Sequence, residues 1–344
     1  MRTEQESAVD GGSEKATPGS GGSLRGAGVP PPPEGPGGGG AVIVRAPTEE
    51  RNSGTYDIDL LPALEVLRQI NAEDTTVPAA VGAVLPELAR AVELGVAALE
   101  SGAAIHYFGA GTSGRIAAQD AAELPPTYGV PAEWVVAHHA GGDEALARAV
   151  EGIEDDWESG RIDAAGVVGG SLVVGLAASG RTPYVGGALE AARERGASTV
   201  LISANPGASL APAADVHVGL STGAEVIAGS TRMKAGTAQK LALNAFSTAV
   251  MVRMGRTFSN LMVGVDATNG KLRGRVVTIL TQATGLDGEA CAKALNAADG
   301  DTRVALVSLL ADVDAAGAAR ALDSAKGRVR DALVGLGMPT PSPE

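Results

Sequence analysis

Between residues 57 and 100 apolar side chains recur at helical spacing. Leu60, Leu64, Leu67 and Ile70 fall on one stripe of a capped helix expected over 57–70. Val81, Val84, Leu85, Leu88, Val92, Val96 and Leu99 carry the same period on to Glu100. Then the period changes. Residues 104–108 (AIHYF) read as a short buried strand running into GAGTSGR at 109–115, and a helix is expected from there through Asp120. Further strands are expected at 134–137, at 171–177 (ending in ASGRTP), at 199–203 (ending in ANPG) and at 215–220. A helix over 186–195 has Gly196 as its stop. Five short apolar strands alternating with helices predict an α/β fold: a parallel sheet covered on both faces, with right-handed crossovers. Beyond Ser230 the pattern is one long helix. From Gly274 it breaks into small helices, with turns at 286–288 and 298–301.

Composition adds a boundary. Residues 1–40 hold 12 of the 48 glycines and six of the 19 prolines, so a structureless tail is expected over 1–46. A first domain is expected over 47–272 and a helical appendage over 273–344. The net charge is −13, of which the first 40 residues carry only −2. An acidic body argues against nucleic acid and anionic membranes as partners. Apolar content is 44% but aromatics are 3%, so the core must be built from Ala, Val, Leu and Ile. The single cysteine, Cys291, excludes an internal disulfide and multi-cysteine metal sites; in a helix, it is expected to pack. No apolar run is long enough to span a bilayer. No secretory leader pattern opens the chain, so a cytoplasmic location is expected.

Gly109–Gly114 fits G-x-G-x-x-G between a strand and a helix, the context of a dinucleotide loop. Two features speak against that ligand. The acidic residue expected about twenty positions on is missing from the end of the next strand. Hydroxyls also crowd the loop: Thr112 and Ser113 follow Gly111, and a second loop after a strand repeats the chemistry in Ser179, Gly180 and Thr182. Hydroxyls and helix N-terminal amides at two neighbouring strand ends suit a compact phosphate monoester. Arg115 in the first loop, and Arg232 and Lys234 at an expected helix start, are candidate partners for phosphate or carboxylate.

Two carboxylates stand out. Glu123 precedes tandem prolines that are expected to stop the helix directly after it. Glu154 lies among five acids in the eight residues 151–158, a pattern that also suits a solvated helix face. His106 and His217 fall inside strands, and His138 and His139 follow one. None has a carboxylate or cysteine at ligand spacing, so no metal is expected.

Together these segments resemble the N-acetylmuramic acid 6-phosphate etherase family. The matching stretches include TEERN (48–52), INAEDTTVP (70–78), GAGTSGR (109–115), ELPPTYG (123–129) and VEGIED (150–155). AASGRTPYV (177–185), SANPG (203–207), GAEVIAGSTRMKAGTAQKLALN (223–244) and NLMVGVDATNGKL (260–272) continue the series. The resemblance spans about 48–333; His138–His139 depart from it, standing where an aliphatic pair is more usual. It implies a sugar isomerase (SIS) αβα sandwich with a five-stranded parallel sheet and a small ubiquitin-associated-like C-terminal bundle. It also implies a homodimer with its active site near the subunit interface, a phosphosugar substrate and no cofactor. Glu123 corresponds to the family's proton donor and Glu154 to its base.

The chemistry of that family explains the residue types. An alkoxide is a poor leaving group, so the lactyl ether does not simply hydrolyse. In the ring-opened sugar the aldehyde acidifies the C2 proton, and its removal lets the C3 oxygen depart. This takes a base, an acid and donors around the enolate. Burial against Pro125 and Pro126 is expected to keep the acid protonated. A non-catalytic sugar-phosphate regulator, as in glucokinase regulatory protein, and an aldose–ketose isomerase share the same loops and stay open as alternatives.

Overall fold

The computed structural model describes residues 46–148, 150, 152–265 and 270–339; the expected tail falls outside them except for Ala46. Five parallel strands form the centre: β1 (Ile105–Gly109), β2 (Val135–His139), β3 (Leu172–Leu176), β4 (Ser198–Ser203) and β5 (Val216–Gly219). Their order is β2-β1-β3-β4-β5. Alternation within each strand builds two cores. Ile105, Tyr107, Leu172, Val174, Val200 and Ile202 face one layer; Phe108, Val173 and Leu201 face the other.

The first layer holds α1 (Ala63–Asp74), α2 (Val77–Gly82), α3 (Leu85–Glu100), α4 (Gly111–Tyr128) and, later in the chain, α8. Val92, Val96, Phe246 and Val250 fill it, each removed almost wholly from water and each contributing roughly 1.5–3 kcal/mol by transfer. The second layer holds α5 (Gly142–Ala147), α6 (Trp157–Asp163) and α7 (Pro183–Glu194). Here α6 and α7 touch backbone to backbone. A Cβ on Gly187 would lie 2.0 Å from the Trp157 carbonyl oxygen, and one on Gly160 would lie 1.9 Å from that of Tyr184.

The long helix α8 (Lys234–Arg253) leads to a hairpin of β6 (Thr257–Phe258) and β7 (Leu261–Met262). Then come α9 (Gly270–Thr284), α10 (Gly288–Ala297), α11 (Thr302–Ala311), α12 (Ala315–Ser324) and α13 (Val329–Gly335). Asp287, Asp301 and Asp314 cap three of these helices through their side chains. The third core takes in Val263 and Val265 beside Cys291, Leu306 and Val329, so it begins upstream of residue 273.

Three expectations need correction. The helix foreseen over 57–70 is a 3-10 turn at Ile58–Leu60 followed by α1. Pro62 lacks an N–H and holds Leu61 extended, so the helix restarts after it. Its stripe does not pack inward: Leu60, Leu64 and Leu67 are 77%, 57% and 63% exposed. The run to Glu100 breaks in two at Ala83–Val84, where Pro86 enters the first turn of α3. The tandem prolines do not end α4 at Glu123. The helix continues through Pro125 and Pro126 to Tyr128, and Gly129 closes it at φ 59°. A proline in the last turn gives up one bond, and the left-handed glycine sets the real end.

On the second face His106 Nδ1 and His138 Nε2 lie 3.1 Å apart, and Phe108 stacks on the His138 ring at 4.2 Å. Burial, with the charge of His138 second, pushes His106 down from 6.5 to about 4. Above pH 6.5 both folded and unfolded His106 are neutral. Below it the unfolded chain takes the proton first, so stability falls as pH drops from 6.5 to about 4. Urea unfolding at pH 7 and pH 4.5 should show a smaller acid loss in His106→Leu than in the unsubstituted chain. Equal losses would remove His106 from the account.

Candidate active site

Register brings the functional loops together. Gly109 pairs with His139 on one side and Leu176 on the other, so β1, β2 and β3 end level. From β1 the chain moves outward to β2, and from β3 it moves the opposite way to β4. The loops diverge and leave a crevice between adjacent strand tips, the place where open α/β sheets bind ligands. Two helices start there, α4 after β1 and α7 after β3. The first backbone bond of α4 runs from Gly114 N to Ala110 O, which leaves the N–H groups of Gly111, Thr112 and Ser113 outside the helical ladder. Pro183 opens α7, and its first bond is Gly186 N to Thr182 O.

The candidate phosphate residues divide. Gly111 is left-handed at φ 54°, and Thr112 is half-buried with its methyl against Gly236 at the start of α8. Thr182 is the N-cap of α7 without a capping side-chain bond. Ser179 is half-buried, its carbonyl accepting from Asn205 Nδ2 at 3.1 Å. Gly180, at φ 70°, could not carry a Cβ, which would sit 2.3 Å from that of Ala208. Ser113 is different: it is buried, and its hydroxyl donates to Gln239 Oε1 at 2.8 Å, tying α4 to α8.

Beside Gly111 a cavity of about 240 Å³ is lined by Arg115, His139, Val150, Gly152 and Glu154 among others. Glu154 sits exposed on a 3-10 turn (Ile153–Asp155) whose Ile153 packs on the second core. The acidic run around it is not one solvated helix face: Asp156 caps α6 by accepting from Ser159 N at 3.1 Å. Glu151 lies outside the described residues. Glu123 is exposed on α4 and does not line this cavity, so the expected burial against Pro125 and Pro126 is not met among the described residues.

The three candidate cations are placed differently from one another. Arg115 donates all of its Nε and Nη2 bonds to backbone carbonyls of residues 145, 146 and 148. Lys234 is buried, and its Nζ lies 2.5 Å from Glu73 Oε2, so its anion is the chain's own carboxylate. Arg232 is exposed. The start of α8 is capped from within as well: Glu225, fully buried, accepts from Lys234 N and Ala235 N, each at 2.9 Å. Burial raises Glu225, opposed by those two amides.

Sequence reasoning passed over Glu73, Glu225, Asp120 and the contacts of His139. Asp120 is buried and accepts from Tyr107, Asn244 and Ser247 at 3.1, 2.6 and 3.0 Å; burial raises it against these donors. His139 holds the turn: Nδ1 lies 2.8 Å from Ala140 O and Nε2 3.3 Å from Gly111 O. The available signals were Glu73 and Glu225 inside two quoted motifs, each an acid near an otherwise uncompensated Lys234.

Comparison with known proteins decides the family. Residues 87–193 match the glucokinase regulatory protein N-terminal SIS domain and 164–249 the SIS domain. The chain is 71% identical over 268 residues to the N-acetylmuramic acid 6-phosphate etherase of Thermobifida fusca, covering 78% of this chain and 88% of that protein. The chain belongs to the N-acetylmuramic acid 6-phosphate etherase family. The etherase of Symbiobacterium thermophilum is 51% identical, over 78% of this chain and 90% of its own. A phosphoheptose isomerase structure from Francisella tularensis aligns with TM-score 0.45 at 16% identity, over 56% of this chain and all of that one. The chain has a SIS-type αβα sandwich followed by C-terminal helices, and no helix among the described residues is long and apolar enough to cross a membrane.

In this etherase-family chain the pair Lys234–Glu73 is the interaction most exposed to a single change. Glu73→Gln leaves a buried ammonium that still faces Glu225 and should cost about 3–5 kcal/mol in urea unfolding. A midpoint that does not move would show that Glu225 alone neutralises Lys234.

Proposed function

We propose that this chain cleaves the D-lactyl ether of N-acetylmuramate 6-phosphate, giving N-acetylglucosamine 6-phosphate and D-lactate. The kinship with the T. fusca etherase, 71% identity across 268 residues, carries the reading. The 6-phosphate binds at the α4 and α7 N-termini, with Gly111, Thr112, Ser179, Gly180 and Thr182 around it. Ser113 supports that loop through Gln239 and retains lone pairs only for accepting. Binding energy from the phosphate, remote from the reacting bond, serves to orient C2 and C3.

Glu154 is the base. It takes the C2 proton of the open-chain aldehyde, and electrons flow through the enolate to break the C3–O bond. Glu123 gives its proton to the departing lactyl oxygen and then activates the water that adds at C3; C2 regains a proton. Net, one water is consumed and one ether bond is cleaved. The reaction belongs to amino-sugar catabolism, whether the sugar is imported or recycled from cell wall. The position of Glu123 favours a site completed by a second subunit, and the exposed stripe of Leu60, Leu64 and Leu67 favours α1 as its contact.

Glu154→Gln should abolish solvent deuterium exchange at C2, and Glu123→Gln should abolish lactate release while exchange persists. Normal exchange in Glu154→Gln would reverse the roles. No lactate from the unsubstituted protein, with a 2-ketose formed instead, would favour an isomerase. Leu64→Glu combined with Leu67→Glu should convert a dimer to a monomer in light scattering. An unchanged mass would place the contact elsewhere.

A further inference from the structure

Helix α5 has only six residues, and its end is held from outside. Its last carbonyls lack intrahelical partners by geometry, and a cation there is favoured by the helix dipole. Arg115, from the first turn of α4, supplies both. Nε donates to Leu146 O at 2.9 Å; Nη2 donates to Ala145 O at 2.8 Å and to Arg148 O at 3.2 Å. The chain then runs directly through Val150 and Gly152 into the turn of Glu154, and all of these line one cavity with Arg115. Gly152 adopts φ 79° as the N-cap of the turn that carries Glu154. The guanidinium thus fastens the glycine loop to the end of α5, six positions before Glu154 in the sequence.

We propose that Arg115 is a positioning residue that sets Glu154 against the glycine loop by gripping the end of α5. The inference rests on the etherase reading for the role of Glu154, but the clamp itself does not. Planar geometry explains the residue: one fork meets three carbonyls, whereas a lysine ammonium is a single point that cannot span them. Only Nη1 is left over for a phosphate, so the two duties can be separated by measurement.

Arg115→Lys and Arg115→Met are compared with the unsubstituted protein. In both variants kcat and C2 deuterium exchange should fall about 100-fold, the cost of a base misplaced by about an ångström. KM and inhibition by inorganic phosphate should stay within about twofold, because ground-state binding is not what is lost. A phosphate ligand would do the opposite: KM and phosphate inhibition would weaken in Arg115→Met, recover in Arg115→Lys, and leave kcat intact. That result overturns the proposal. Amide hydrogen exchange over residues 145–156 gives a readout without activity, and should quicken in Arg115→Lys while the sheet stays protected. Unchanged exchange there overturns the clamp whatever the kinetics. If Arg115→Met does not fold, Arg115→Lys decides alone. If the unsubstituted protein releases no lactate, the etherase reading fails while the exchange measurement still judges the clamp.

Discussion

The turn between β1 and α4 closes on two glycines that leave no room for a side chain. A Cβ on Gly109 would lie 2.8 Å from Gly114 N; one on Gly114 would lie 2.6 Å from Gly109 O and 2.4 Å from His139 Cδ2. Only with both positions bare can α4 start directly over the strand tip. That start leaves the N–H groups of Gly111, Thr112 and Ser113 outside the helical ladder, beside the crevice at the strand tips. It also puts Ser113 against Gln239 and Arg115 against α5. The loop that suggests a phosphate site is therefore the hub from which the surrounding segments are fixed.

Anion chemistry is distributed with care around this hub. The α8 N-terminus is the third helix start in the region, but Glu225 occupies its first amides and Lys234 is neutralised by Glu73. An incoming phosphate would have to displace a buried carboxylate there. Among the described residues no side-chain carboxylate caps the first amides of α4 or α7. The ligand's place is thus set as much by where the chain supplies its own anions as by where it leaves donors free. This also reconciles a net charge of −13 with a phosphorylated substrate: the long-range field is unfavourable, but the local donors are preorganised and close.

Much of this was legible in the residues. Short continuous apolar runs located all five strands to within two residues, and the hydroxyl loops marked the two strand ends that lie side by side. Adjacency was not legible: nothing in spacing says that β3 returns next to β1, and so the crevice emerges only with the strand order. The cations misled because sequence shows their charge but not their partner. Lys234 and Arg115 looked available for a ligand; in three dimensions one faces Glu73 and the other a row of carbonyls. The leucine stripe at 60–67 misled for another reason. Helical periodicity shows that a face is apolar and does not say whether its cover comes from the same chain.

That last ambiguity bears on the chemistry. A carboxylic acid that must hold its proton near neutrality needs a site shielded from water. Among the described residues Glu123 has none, and three leucines of the N-terminal segment have no cover either. Both shortfalls concern surface that the single chain leaves wet. Under the proposed mechanism the base can work from an open cavity, since Glu154 must be ionised to act, whereas the acid cannot. Association would then change the two glutamates unequally, dehydrating the one that donates. A dimer would then be part of the acid–base machinery rather than a container for it, because it would make two exposed carboxylates chemically different.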